Sequence, residues 1–112
     1  MDNNILSSMK KFLGVCPEYT AFDEQILMYV NSAFSTLKQL GIGGDDGIEV
    51  DENTEWSVII TKPKLNFLKA YVNMRVKLMF DPPTSSFALE TLKEQIKEYE
   101  WRITLEVETY GK

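Results

Sequence analysis

The chain has 112 residues, of which 44% are hydrophobic and 26% are charged, a composition typical of one folded domain with a single modest core. Its 12 Lys and Arg residues against 17 Asp and Glu residues give a net charge of -5, which opposes binding to the phosphate backbone of nucleic acid. Because the chain contains no histidine, it lacks the commonest general base and the usual nitrogen ligand of metal sites, so we expect no enzyme, no metal and no cofactor.

The cysteine count and the hydropathy pattern indicate the cellular compartment in which the protein is expected. Cys16 has no second cysteine to pair with, and no charged and then apolar leader precedes the domain. No apolar run approaches the roughly 20 residues that a membrane helix needs. We therefore expect a protein of a reducing intracellular compartment that does not enter a membrane.

Two helices are predicted in the first part of the chain. Apolar residues at helical spacing predict a short helix over Ile5–Leu13, which Gly14 can end in a left-handed cap. Thr20 with Asp23 three residues later resembles a capping box, and it predicts a second helix running to position 40. Met28 is the one apolar residue on the polar side of that second helix.

Residues 41–53 combine glycines with acids, which is typical of a solvated loop that adds nothing to a core. Six carboxylates fall between positions 45 and 55: Asp45, Asp46, Glu49, Asp51, Glu52 and Glu55. Their order lacks the alternating aspartates of an EF-hand, so we interpret the segment as a solvated loop, with weak calcium binding as the alternative. Residues 56–61 fit either a strand or a single helical turn, and we prefer the helical turn.

A third helix is predicted over residues 64–80, from Pro63 in its first turn to the break at Pro82 and Pro83. Its apolar residues cover more than half of its circumference, which predicts a central helix, too apolar for one small bundle to cover alone. Arg75 falls inside the apolar arc, so it needs a carboxylate partner, either within the chain or across a subunit interface.

A fourth helix is predicted after Thr84, with Ser85 or Ser86 as its N-cap. One apolar stripe repeats at spacings of three and four residues: Leu89, Leu92, Ile96, Tyr99 and Ile103. Trp101 lies away from this stripe, on the side of Phe87, where it is either an interface anchor or is covered by a C-terminal segment that folds back. Residues 103–110 fit a strand or a helix equally, and the tail at 102–112 is predicted to order only on assembly.

The resulting fold class is mainly α, a single domain over residues 1–112. It consists of a small bundle of about four helices with a long acidic loop and a C-terminal tail that is either extended or helical.

The most distinctive run of the sequence is Val-Lys-Leu-Met-Phe-Asp-Pro-Pro-Thr-Ser-Ser-Phe at 76–87, followed by Lys-Glu-Gln-Ile at 93–96 and Glu-Trp-Arg at 100–102. Upstream, Tyr-Thr-Ala-Phe-Asp at 19–23 precedes a long helix, Leu-Lys-Gln-Leu-Gly at 37–41 ends it, and Thr-Glu-Trp-Ser at 54–57 follows the acidic loop. In these motifs and their order, nearly the whole chain resembles the head-tail connector (adaptor) proteins of tailed bacteriophages.

The resemblance implies a mainly helical, non-enzymatic subunit of the virion neck, assembled in the cytoplasm of the bacterial host by a phage or prophage. It implies a dodecameric ring beneath the portal protein that extends the DNA channel and offers a docking surface to stopper or tail-completion proteins. DNA would pass through this ring without specific binding.

Two sets of residues follow as candidates for these roles. The interface candidates are Met28, Arg75, Phe87, Trp101, Arg102 and Tyr110. The acidic candidates for the wall of the DNA channel, where carboxylates would repel phosphates, are Asp45, Asp46, Glu49, Asp51 and Glu52.

Two other classes of protein compete with the ring. The composition equally fits a small helical adaptor that binds one cellular protein without forming a ring, and native mass would separate the two. A helix-turn-helix DNA-binding protein would need a basic recognition face, and the thin strip of Lys69, Asn73 and Lys77 is too small for one.

Overall fold

A computed structural model of the chain describes residues 3–42 and 47–110, the last two through their backbone only. It contains four α-helices: α1 at Ile5–Leu13, α2 at Asp23–Gln39, α3 at Phe67–Phe80 and α4 at Ser86–Tyr110. Short 3-10 turns at Trp56–Val58 and Pro63–Leu65 lie between α2 and α3. The described ranges hold no strand, which confirms the predicted helical bundle, and none of their helices is long and apolar enough to cross a membrane.

The third helix, α3, is central as predicted, because it contacts α1, α2 and α4. Its residues Leu68, Tyr71, Val72 and Val76 have no exposed surface, and its other apolar residues are partly buried. The expectation that α3 is too apolar for one chain to cover is therefore wrong. The other helices cover it, and the large exposed apolar side chains lie outside α3.

The helix α1 ends at Gly14 as the sequence predicts, whereas α2 does not start with the predicted cap. Asn4 caps α1 by accepting a hydrogen bond from the Ser7 amide, and Gly14 ends it with φ at 78°. No side chain caps α2, so the predicted capping box of Thr20 and Asp23 is wrong. The Asp23 carboxylate instead pairs with Lys10, at 2.8 Å, and the Lys10 ammonium also donates to the Pro17 carbonyl. This buried lysine ties α1 to the start of α2.

The segment after α2 contributes to the core, contrary to the expectation that it would not. Val50 is 3% exposed, and its amide and carbonyl both bond to the side chain of Asn31 on α2, at 2.7 and 2.9 Å. Asn31 also donates to the Leu27 carbonyl. One asparagine therefore holds the acidic segment against α2, since buried backbone groups require partners.

The segment at 56–61, which the sequence left open, forms a 3-10 turn rather than a strand. Trp56 is buried, and its indole N–H donates to the Ser8 hydroxyl at 2.8 Å. Its backbone amide donates to the Asn3 carbonyl, and the Ile5 amide donates to the Thr54 carbonyl. The segment before α3 is thus fixed to the start of α1.

The C-terminal segment is also settled, because residues 103–110 continue α4 as a helix and not as a strand. Val107 packs beside Gly41, which has φ at 102°. A Cβ at position 41 would lie 2.8 Å from Cγ1 of Val107, so glycine is required there both by backbone conformation and by space.

We expect Asn31→Ala to lower the free energy of unfolding by roughly 1–3 kcal/mol, because the Val50 amide and carbonyl would lose their partners. Urea denaturation followed by circular dichroism measures the change. Gln39→Ala, at an exposed amide of the same helix, is the matched control and should have little effect. Equal stability of the two variants would contradict the role given to Asn31.

Candidate interface surface

The fourth helix starts where the sequence predicts. Pro82 and Pro83 separate it from α3, and Ser85 acts as N-cap by accepting a hydrogen bond from the Ala88 amide at 3.1 Å. The predicted apolar stripe packs inward against α3: Leu92, Ile96 and Ile103 are buried, while Leu89 and Tyr99 are partly buried. The core therefore uses only one side of α4.

The opposite side, here called the outer face of α4, is exposed along its length. Its residues alternate at spacings of four and three: Phe87, Thr91, Glu94, Glu98, Trp101 and Leu105. Phe87 is 82% exposed, Trp101 63% and Leu105 41%. The alternative that the C-terminal residues fold back over Trp101 is wrong, because they continue the helix past it.

A shallow depression separates the two aromatic residues of this face. Its described lining residues all belong to α4 and include Phe87, Glu94, Glu98 and Trp101. Phe87 and Trp101 are separated by about 21 Å of helix, at a rise of about 1.5 Å per residue. A surface of this length on one helix suits another protein chain better than it suits a small molecule.

The rotation of α4 is fixed by Glu100, the residue next to Trp101. The Glu100 carboxylate accepts a hydrogen bond from the Tyr71 hydroxyl at 2.7 Å and pairs with Arg75 at 3.3 Å. Both partners lie on α3, so this contact turns Glu100 inward and leaves Trp101 outward. Burial and the hydrogen bond to Glu100 raise the pKa of Tyr71 well above its usual range, which keeps the phenol protonated as the donor.

The predicted carboxylate partner of Arg75 is therefore confirmed, and it lies within the chain rather than across a subunit interface. The Arg75 Nε is nevertheless buried without a hydrogen-bond partner in the part of the chain that the structure describes. Arg75 thus supports the packing of α4, and its direct participation in an interface stays a prediction.

The interface candidates do not form one patch. Phe87 and Trp101 share the outer face of α4, and Arg102 lies beside it, stacked over the Tyr99 ring at 5.5 Å. Met28 is 60% exposed but lies on α2. The side chain of Tyr110 falls outside the described residues.

The acidic candidates are described in part. Asp45 and Asp46 lie outside the described residues, whereas Glu49, Asp51 and Glu52 are exposed. The Asp51 carboxylate accepts hydrogen bonds from the Asn53 amide and the Thr54 hydroxyl, which lower its pKa. Among the residues with described coordinates, no group of three acidic or sulfur ligands is placed to hold a metal.

A second exposed aromatic group was not predicted. The exposed rings of Tyr19 and Phe22 contact each other edge to face, and Phe22 also contacts the partly buried Phe80 of α3; the ring centroids of each pair are 5.3 Å apart. Phe12 is also 46% exposed. The signal in the sequence was the pair of aromatic residues between Pro17 and the start of α2.

Residues 5–110 match the model of a family described as phage connector protein. No curated protein and no solved structure matches the chain.

We expect Glu100→Gln to lower the free energy of unfolding by roughly 1–3 kcal/mol, because the half-buried Arg75 would lose its charged partner. Chemical denaturation measures the difference. Glu98→Gln is the matched control, since the pair that Glu98 makes with Arg102, at 3.8 Å, is exposed. A Glu100→Gln variant no less stable than the Glu98→Gln variant would contradict the role assigned to Glu100.

Proposed function

This chain belongs to the phage connector protein family, whose members are structural components of the virion, and we propose that it forms a ring joining the portal protein to the tail. The ring is dodecameric, lies in the virion neck, and extends the DNA channel toward stopper or tail-completion proteins. It is assembled in the cytoplasm of the host. The chain acts by contact alone and performs no reaction.

The observation that carries this proposal is the outer face of α4. Its two aromatic side chains are exposed although the apolar stripe on the other side of the same helix already fills the core. Exposed tryptophan beside a charged surface is typical of an interface anchor, because a partner can bury its large apolar ring. A subunit that acts alone gains nothing from this arrangement.

The role of the acidic segment follows from its charge and exposure. Glu49, Asp51 and Glu52 are exposed, and the segment is fixed to α2 through Val50 and Asn31. Carboxylates on a channel wall repel phosphates, so DNA can slide without binding. We place this segment on the wall of the DNA channel.

We expect Trp101→Ala to abolish or strongly weaken ring formation on purified portal particles, observed by electron microscopy of the mixture. The variant should keep wild-type stability to within about 0.5 kcal/mol, since Trp101 is exposed in the free chain. Phe12→Ala, at an exposed aromatic residue of α1, is the control. Normal ring formation by the Trp101→Ala variant would contradict the proposal, and a wild-type chain that binds portal as single copies would favour an adaptor without a ring.

Charge reversal tests the placement of the acidic segment. We expect Glu49→Lys with Glu52→Lys to slow DNA ejection from assembled particles, because lysines on the channel wall would hold phosphates. Asp51 is left unchanged because its carboxylate closes the local turn. Glu24→Lys on α2 is the control, and ejection at the control rate would contradict a channel position for the segment.

A further inference from the structure

The outer face of α4 repeats at alternating spacings of four and three residues, which is the period of a coiled-coil seam. Apolar side chains mark its two ends, Phe87 at one and Trp101 with Leu105 at the other, and all three are exposed. Polar side chains occupy the turns between them. Because side chains at this period stay on one side of a helix over several turns, the face suits a partner that is also a helix.

The middle of this face is acidic. The depression between Phe87 and Trp101 contains three glutamates against one lysine: Glu90, Glu94, Glu98 and Lys97. Within the described ranges Glu90 and Glu94 form no ion pair, whereas Glu98 pairs with Arg102 at 3.8 Å. A partner that covers the face must therefore supply cations, because a covered carboxylate without a partner loses its hydration.

A second copy of this chain does not meet that requirement in the part that the structure describes. The depression that contains Lys62 also contains Glu106, which already pairs with Lys64 at 3.8 Å. The depression that contains Lys69 also contains Glu55. Two outer faces would place glutamates opposite glutamates, which is repulsive, and the net charge of the whole chain is -5. The acidic face therefore selects a partner more basic than this chain.

We propose that the outer face of α4 binds a helix of a different protein, which carries basic side chains in its middle turns and apolar side chains at both ends. The basic side chains pair with Glu90 and Glu94, and the apolar ends cover Phe87 and Trp101. These aromatic residues are about 21 Å apart along α4, so the partner helix needs about four turns. The same glutamates repel phosphates, which disfavours nucleic acid and anionic lipid at this face. The inference rests on the proposed function, because it gives the chemistry of a partner at the face that carries that function.

Two synthetic peptides test the charge of the partner. Each is a helix of about 20 residues with leucines at the seam positions of its end turns. The basic peptide has arginines along the seam in its middle turns, and the acidic peptide has glutamates at the same positions. Fluorescence anisotropy of a labelled peptide measures its binding to the full chain. We expect the wild type to bind the basic peptide at least about tenfold more tightly than the acidic one.

Charge reversal on the face should invert this preference. We expect Glu90→Lys with Glu94→Lys to bind the basic peptide about tenfold more weakly than the wild type does, and the acidic peptide about tenfold more tightly. The gain of binding to the acidic peptide cannot come from an unfolded variant. Glu24→Lys with Glu52→Lys changes the net charge by the same amount at exposed acids outside α4, and it should bind both peptides to within about threefold of the wild type.

The apolar ends of the contact are tested at Trp101. We expect Trp101→Ala to weaken binding of the basic peptide about tenfold, because the leucines at one end of the peptide lose the ring that they cover. Phe12→Ala, at an exposed aromatic residue of α1, is the control and should bind as the wild type does.

Three results would overturn the inference. The first is equal binding of the two peptides by the wild type. The second is an equal loss in the Glu24→Lys, Glu52→Lys control, which would reveal only a general attraction of arginines to an acidic protein. The third is self-association of the wild type that Trp101→Ala abolishes in sedimentation velocity, which would assign the face to a second copy.

Imaging of the wild type with portal particles separates this inference from the ring. If the wild type forms rings on portal but prefers neither peptide, the ring stands and the chemistry of the partner falls. If it prefers the basic peptide and forms no ring on portal, the proposed function falls and the preference of the face for a basic helix stands.

Discussion

The contact of α4 with α3, fixed by Glu100 between Tyr71 and Arg75, is the constraint on which the rest of this molecule depends. It selects which side of α4 the core uses and therefore which side it leaves to solvent. Apolar packing alone would tolerate some rotation of α4, whereas a half-buried carboxylate with two partners tolerates little, because losing either partner leaves a desolvated charge. The exposure of Phe87 and Trp101 is a direct consequence.

The rest of the described chain shows the same division between residues that build the core and apolar residues that stay at the surface. One copy forms its own core, since the buried residues of α3 have no exposed surface and Lys10, Asn31 and Trp56 each tie a loop to a helix. Phe87, Trp101 and Leu105 lie outside this core, exposed on the helix α4. A subunit that folds first and assembles later needs this arrangement, because its contacts must be available without unfolding.

Helix existence, type and most boundaries were predictable from the sequence because they depend on local periodicity and on breakers such as Gly14, Pro82 and Pro83. The predictions that were wrong concern residues whose partners lie far away in the sequence. The capping box was wrong because Asp23 pairs with Lys10, and the burial of Val50 was missed because it requires Asn31, 19 residues away. The position of Trp101 off the apolar stripe followed from the helical pattern, whereas its exposure was left open until α4 was seen to continue past it. The identity of the Arg75 partner required the packing of α4 on α3.

The central claim is that the outer face of α4 is open in the free chain and covered in the assembly, and the fluorescence of Trp101 reports on it directly. Acrylamide quenching distinguishes the two tryptophans, because Trp56 is 4% exposed and Trp101 is 63% exposed. We expect strong quenching in the isolated chain, absent from a Trp101→Phe reference, and protection of Trp101 once rings form on portal. A Trp101 that is protected in the isolated chain, or that stays fully quenchable in the assembled ring, would contradict the account.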